Sequence, residues 1–328
     1  MRTPTARFAL ALATSTLLLQ AMAVQADTST GPAEDTNPRL ATAYTPTSPQ
    51  SEAAEHFWTL VGKPQVKSSS VVIFDETEES ILYSKNAKQA MPIASITKLM
   101  TALVVRQADQ PLNEVLEITT DDRDTLRGTT SRLLIGTELT RADLLHLALM
   151  SSENRAAHAL GRNYPGGLKA FVRAMNAKAK ALGMKSARFV EPTGLSSGNV
   201  SSAADLVKLV LEASRDPLIR HYSTNQSHEV QVGDHVLEFR NSNSLISKED
   251  WHIELQKTGY TSDAGRCLVM TAFVHERPVV MVLLNSFGKY TRVADARRVR
   301  KWMEASVADA PRYASATAGV AGTSEAAP

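Results

Sequence analysis

The chain has 328 residues, 43% hydrophobic, 5% aromatic and 21% charged, with one cysteine and a formal net charge of +2. It is too apolar for a disordered regulator and long enough for one large or two ordinary domains. The single Cys excludes an internal disulfide framework and any cysteine-based zinc module, and the near-zero charge argues against a nucleic-acid binder held by bulk electrostatics.

Arg2 and Arg7 precede an apolar run at residues 8–19, and Val24-Gln25-Ala26 places small residues where a signal peptidase cuts. Residues 1–26 therefore read as an export signal, whose apolar core is short for a bilayer of roughly 30 Å. Cleavage removes two Arg and no acid, leaving a neutral mature chain with no permanent membrane anchor and an expected location in the periplasm. Residues 27–57 are rich in Thr, Ser, Pro and Ala without periodicity and read as a linker. The expected folded body is 58–307, followed by a loose tail at 308–328.

Within the body, β-rich runs at 71–75 and 81–83 flank a polar turn and predict a hairpin. A helical pattern covers 95–105. Thr140-Arg141-Ala142-Asp143 has the form of a helix cap, continued by Leu144, Leu145, Leu147, Ala148 and Leu149. Further helices are expected at 168–182, closed by Gly183, and at 203–213, stopped before Pro217. Runs at 253–261, 266–275 and 279–285 have strand character, with Arg277-Pro278 at the second turn, and a helix at 293–307 closes the body. Cys267 lies in one of these apolar runs and reads as a small buried hydrophobe. Strands, a helical middle, strands again and a last helix give an α+β fold: a mainly antiparallel sheet of about five strands flanked by helices.

Three short motifs carry chemistry. Ser95-Ile96-Thr97-Lys98 sets a hydroxyl and an amine on one helix face, where a neutral lysine can take the serine proton. A second Ser-x-x-Lys, Ser286-Phe287-Gly288-Lys289, follows a strand at a glycine turn and lacks that face. Ser152-Glu153-Asn154 sits between two helical patterns, whereas Ser197-Gly198-Asn199 and Ser223-Thr224-Asn225 lie in irregular stretches. Lys257-Thr258-Gly259 occurs once, on a strand, with Gly259 where a substrate backbone could approach closely. Alone, each is an ordinary surface or turn signal.

Together, in this order, they resemble the three-motif signature of penicillin-recognising serine enzymes. Pro92 to Thr101, Arg188 to Ser196 and Lys257-Thr258-Gly259-Tyr260-Thr261 are similar to segments of the low-molecular-mass D-alanyl-D-alanine peptidases. The stretches 150–157, Tyr164-Pro165-Gly166-Gly167 and Phe287-Gly288-Lys289-Tyr290 resemble the endopeptidase subgroup, of the penicillin-binding protein 7 type. The resemblance spans about residues 66–305 and implies the serine β-lactamase/D,D-peptidase fold, a sheet with a helical subdomain. It also implies Ser95 as the acylated nucleophile, Lys98 as general base, Ser152 as proton relay and Asn154 holding Lys98 and a substrate carbonyl. Lys257, Thr258 and Gly259 would receive substrate, and the backbone N–H groups of Ser95 and Tyr260 would form the oxyanion hole. The implied substrate is the peptide cross-link of peptidoglycan, the implied inhibitors are β-lactams, and no metal or organic cofactor is needed.

Repulsion between Lys98 and Lys257 about 5 Å apart, roughly 3 kcal/mol at an effective dielectric near 20, is expected to bring Lys98 down by about two pKa units. Glu153, Asp or Gly in relatives, is expected to point outward without touching catalysis. No Glu-x-x-Leu-Asn segment of the class A β-lactamase kind follows the second motif, so penicillin is expected to leave Ser95 slowly. The alternatives are a D-alanyl-D-alanine carboxypeptidase using the same residues, a β-lactamase, or a wall-binding module on a dead scaffold. The eight histidines form no His-Glu-x-x-His pair, which leaves a metallopeptidase unsupported.

Overall fold

The computed structural model describes residues 62–321. The expected export signal at 1–26, the linker at 27–57 and the chain end at 322–328 lie outside the described residues. β1 (Ser70–Asp75) and β2 (Ser80–Lys85) form the expected hairpin. Asp75 builds its turn: Oδ1 accepts from the N–H groups of Thr77 (2.8 Å) and Glu78 (3.1 Å), which reverses the chain without a glycine at the start. β3 (Met91–Pro92) leads into one turn of 3-10 helix, Ala94–Ile96, and then α1 (Thr97–Gln107). β4 (Val115–Glu117) pairs with β5 (Glu138–Thr140). Thr140 then caps α2 (Arg141–Met150), accepting from the Asp143 N–H as the sequence pattern predicts.

α3 (Asn154–Arg162) and α4 (Gly167–Ala181) follow. β6 (Val200–Ser201) pairs with β3, and α5 (Ala203–Ala213) is capped by Ser202. Pro217 does more than stop α5. It opens α6 (Pro217–Thr224), with Asp216 accepting from the N–H groups of Leu218 and Ile219. A proline at the first helical position gives up an N–H that would be unpaired anyway. β7 (Ser227–Val232) and β8 (His235–Arg240) make a further hairpin around Gly233, whose φ is +57°. Neither α6 nor this hairpin is in the sequence reading.

β9 (Ile253–Thr261), β10 (Gly265–Val274) and β11 (Arg277–Ser286) complete a five-stranded sheet of order β2-β1-β11-β10-β9, antiparallel throughout. The turn between β10 and β11 falls at His275-Glu276, both at positive φ, rather than at Arg277-Pro278; Pro278 lies inside β11 opposite Phe273. The last helix, α7 (Thr291–Ala321), runs past the expected end at Val307.

The sheet is buried on both sides. Val71, Ile73, Met270, Met281 and Leu283 pack with Ala296, Val299, Trp302 and Met303 of α7. Their neighbours Val72, Val269, Val280 and Val282 pack with the helices of the middle region, including Leu99 of α1 and Leu206 of α5. Covering both faces is why the strands read as unbroken apolar runs instead of alternating ones. Cys267 belongs to this inner core, fully buried, with its thiol pushed up to about 11 by burial. It behaves as the small hydrophobe that the sequence suggests.

Candidate active site

The site forms where the first turn ahead of α1 meets the edge strand β9. Ala94 adopts φ +47°, and the Thr97 hydroxyl donates to Ala94 O at 2.8 Å. Asn199 Nδ2 donates to Thr97 Oγ1 (3.1 Å), so a distant loop fixes the helix start. Two glycines press on the Ser95 backbone. A Cβ on Gly194, itself at φ +84°, would lie 2.0 Å from Ala94 O, and one on Gly259 would lie 3.0 Å from Ser95 N. Gly259 thus lets β9 lie tightly against the chain's own backbone at Ser95, a close approach that the sequence reading gave to substrate alone.

Lys98 is fully buried, and its Nζ has three partners: Ser95 Oγ at 2.9 Å, Asn154 Oδ1 at 2.7 Å and Thr193 O at 2.7 Å. The two carbonyl oxygens can only accept, so each takes an N–H. In the neutral amine the lone pair is then left for the one partner that can donate, the Ser95 hydroxyl. Burial lowers Lys98 to about 8, against the charges of Glu191 and Glu153, which push it up. Lys257, also fully buried, is held well below its ordinary range by burial first, then by Lys98 and Arg292. The expected leading cause is therefore corrected: desolvation comes first for both lysines, ahead of the repulsion between them. Glu153 is not silent either. Its carboxylate caps α3 by accepting from Arg155 N–H (3.1 Å), and its charge acts on Lys98.

Asn154, the first residue of α3, is oriented at both ends, since its Nδ2 donates to Thr129 Oγ1 at 3.1 Å. Ser152 lies in the connection between α2 and α3 at φ +65°, and its hydroxyl has no hydrogen-bond partner among the described residues. Lys257 Nζ donates to Thr258 O (3.0 Å), and Thr258 Oγ1 donates to Ser242 Oγ (2.7 Å). The Tyr260 ring is exposed, with the Arg266 guanidinium 4.4 Å from its centroid. Ser95, Lys98 and Asn154 are thus joined directly, Gly259 sets β9 against them, and no bond links Ser152 to either Ser95 or Lys98. The second Ser-x-x-Lys is unpaired: Ser286 Oγ meets Ser68 Oγ at 2.6 Å while Lys289 reaches the Tyr290 ring.

Several supporting residues lie outside the three catalytic motifs. Glu191 shapes the loop that supplies Thr193 O: its oxygens accept from Thr193 N (2.6 Å), Gly194 N (2.7 Å) and Asn199 Nδ2 (2.9 Å). Arg127 ties the segment carrying Thr129 to Leu195 O, Ser262 and Asp263. Arg292 Nη1 donates to Gly259 O at 2.8 Å. Among the described residues no group of three His, Cys, Asp or Glu side chains could hold a metal ion.

Residues 58–288 match the peptidase S11 family, described as D-alanyl-D-alanine carboxypeptidase. The chain belongs to this family. The peptidase is 50% identical over 242 residues, 73% of its chain and 78% of the relative, to a D-alanyl-D-alanine endopeptidase of Pseudomonas aeruginosa. It is 46% identical over 261 residues, 79% of its chain and 84% of the relative, to one of Escherichia coli. A D-alanyl-D-alanine carboxypeptidase of Bacillus subtilis is 30% identical over 63% of the peptidase and 54% of that relative. The DD-transpeptidase of Streptomyces K15 shares the fold, with a TM-score of 0.69 and 25% identity over 74% of this chain and 99% of that one.

Proposed function

We propose that this peptidase is a D,D-endopeptidase that hydrolyses D-alanyl-containing peptide cross-links of peptidoglycan through an acyl-enzyme on Ser95. The observation that carries the reading is the buried Lys98 amine, held by two carbonyls with Ser95 as its only proton donor. Neutral Lys98 takes the hydroxyl proton as Ser95 Oγ attacks the D-alanyl carbonyl carbon. The oxygen of that carbonyl gains negative charge, and the N–H groups of Ser95 and Tyr260 receive it. Lys257 and Thr258 take the carboxylate beside the leaving amine, while Asn154 holds Lys98 and offers its amide to a substrate carbonyl. The unpaired Ser152 hydroxyl passes the proton to the amine, the C–N bond breaks, and water later hydrolyses the Ser95 ester through the same groups.

A β-lactam enters the same steps as a strained amide and acylates Ser95. Glu191, the first acid in the sequence between the second and third motifs, has its carboxylate committed to loop N–H groups and is not free to activate water. That supports slow loss of the penicilloyl group rather than β-lactamase turnover. The basic and apolar pattern at 1–26 supports export to the periplasm. A second reading, D-alanyl-D-alanine carboxypeptidase, uses the same residues and is favoured by the family description; the higher identity to endopeptidases supports the first.

The test incubates the mature protein with cross-linked and uncross-linked muropeptides. Cross-link cleavage by the parent and none by Ser95→Ala is expected; release of free D-Ala alone would establish the carboxypeptidase instead. Rapid turnover of a chromogenic cephalosporin would make it a β-lactamase. N-terminal sequencing of the exported protein should find Asp27 first.

A further inference from the structure

Among the large hydrophobic side chains exposed in the described residues, the aromatic ones are Tyr260 (58%), Phe287 (94%) and Tyr290 (70%), and all three belong to one end of the sheet. Arg266 on β10 lies opposite Tyr260 on β9 and Ser286 on β11, and its guanidinium stacks on the Tyr260 ring. Phe287 follows Ser286 directly. Gly288, at φ +88°, turns the chain toward α7, and Lys289 sits 5.4 Å from the Tyr290 ring centroid. The bond from Arg292 to Gly259 O fastens this segment to the residue before Tyr260. Next to Tyr290 a cleft of about 410 Å³ is lined by Ser244, Val293, Ala294, Arg297 and Arg298. Ser244 is two residues from Ser242, which holds Thr258.

Packing does not explain these side chains. An isolated exposed apolar residue is ordinary, but three aromatics rimmed by cations on one surface mark a binding site. Arg266, Lys289 and Arg297 have no acidic partner among the described residues, in a chain whose charges nearly cancel overall. The patch therefore fits a ligand with flat C–H faces for the rings and carboxylates for the cations. It also continues the strand that carries Lys257, Thr258 and Gly259, which sets the patch beside the proposed catalytic site.

We propose that Tyr260, Phe287 and Tyr290, with Arg266, Lys289 and Arg297, form a platform for the polysaccharide strand of peptidoglycan. Pyranose rings lie on the aromatic faces, and carboxylates of the attached stem peptides meet the cations. The inference rests on the reading of the chain as a peptidoglycan peptidase, and gives a role to the Phe287-Gly288-Lys289-Tyr290 stretch that the catalytic site leaves unused.

Binding is measured without cleavage, by co-sedimentation of the Ser95→Ala protein with purified sacculi. Adding Phe287→Ala and Tyr290→Ala should weaken binding at least about tenfold, whereas Phe287→Tyr with Tyr290→Phe keeps it within about twofold. In the Ser95 protein, the same alanine pair should lower the ratio of cross-link cleavage in sacculi to cleavage in free muropeptide dimers. Undiminished sedimentation of the alanine pair would overturn the proposal. So would tighter binding of the parent to anionic phospholipid vesicles than to sacculi, with the same residues required, which would make the patch a membrane contact. Failure of the peptidase reading shows separately, as dimers left intact by the Ser95 protein whatever the sedimentation result.

Discussion

Lys98 serves as a base only when neutral, and its folded-state pKa of about 8 sets where that form takes over. Penicillin acylation is expected to rise as pH climbs toward about 8, in rapid-mixing labelling from pH about 6 to about 8. Lys98→Arg, which stays charged, should lose at least about a thousandfold in acylation rate and lose the pH limb. The same shift bears on stability. An unfolded lysine keeps its proton to pH about 10.4, so between pH about 8 and that value the unfolded chain binds more protons and stability rises with pH. Gly194→Ala tests the clamp on Ser95. It combines a φ of +84° with a contact at 2.0 Å and should cost at least about 2 kcal/mol in urea denaturation, against about 1 kcal/mol for Gly233→Ala, which has open space. Ser95, Lys98 and Asn154 were legible because one helix turn or one helix start sets their spacing. Glu191, Thr129 and Arg292 were not, because their roles depend on contacts that only the fold creates; Thr193 O meets Lys98 across 95 positions.

At the scale of elements, α2, α6 and the β7–β8 hairpin meet at His146. Its ring stacks between Tyr222 (4.3 Å) and His228 (4.0 Å), and Asn225 Nδ2 lies 3.2 Å from its Nε2. His221 lies beyond Tyr222, and Asp143 holds His228 at 2.9 Å. Burial, then the His228 and His221 charges, lower His146 to about 3. Unfolded, it takes a proton near pH 6.5, so stability is lost as pH falls from there toward about 3, by up to about 1.4 kcal/mol per unit. His146→Gln is expected to flatten that acid limb, read from urea midpoints at pH about 7 and about 5. Helices with explicit caps, such as Thr140 on α2, were readable. α6 was missed because Pro217 can end one helix and begin another, and the sequence reading took only the first meaning. The β7–β8 hairpin hides its apolar residues among charges, since only Val230, Val232 and Phe239 are buried.

For the whole molecule, α7 closes the outer face of the sheet. Trp302, with its indole N–H on Gly62 O (2.8 Å) and its ring edge-on to Tyr83 (6.3 Å), anchors that layer. Trp302→Ala should cost about 3 kcal/mol, seen as a lower denaturation midpoint. The five strands and their antiparallel class were legible from apolar runs, but their order was not, because apolar runs do not say which strands are neighbours. That order has a kinetic consequence. β11 stands at the centre of the sheet, yet it is the last strand of the chain, pairing with β1 across more than 190 intervening residues. Neither core can close until Ser286 has been synthesised, which delays folding by long loop closure. For a chain that must thread through a membrane before it folds, as the proposed export requires, a keystone strand delivered last keeps the nascent polypeptide open until nearly all of it is available.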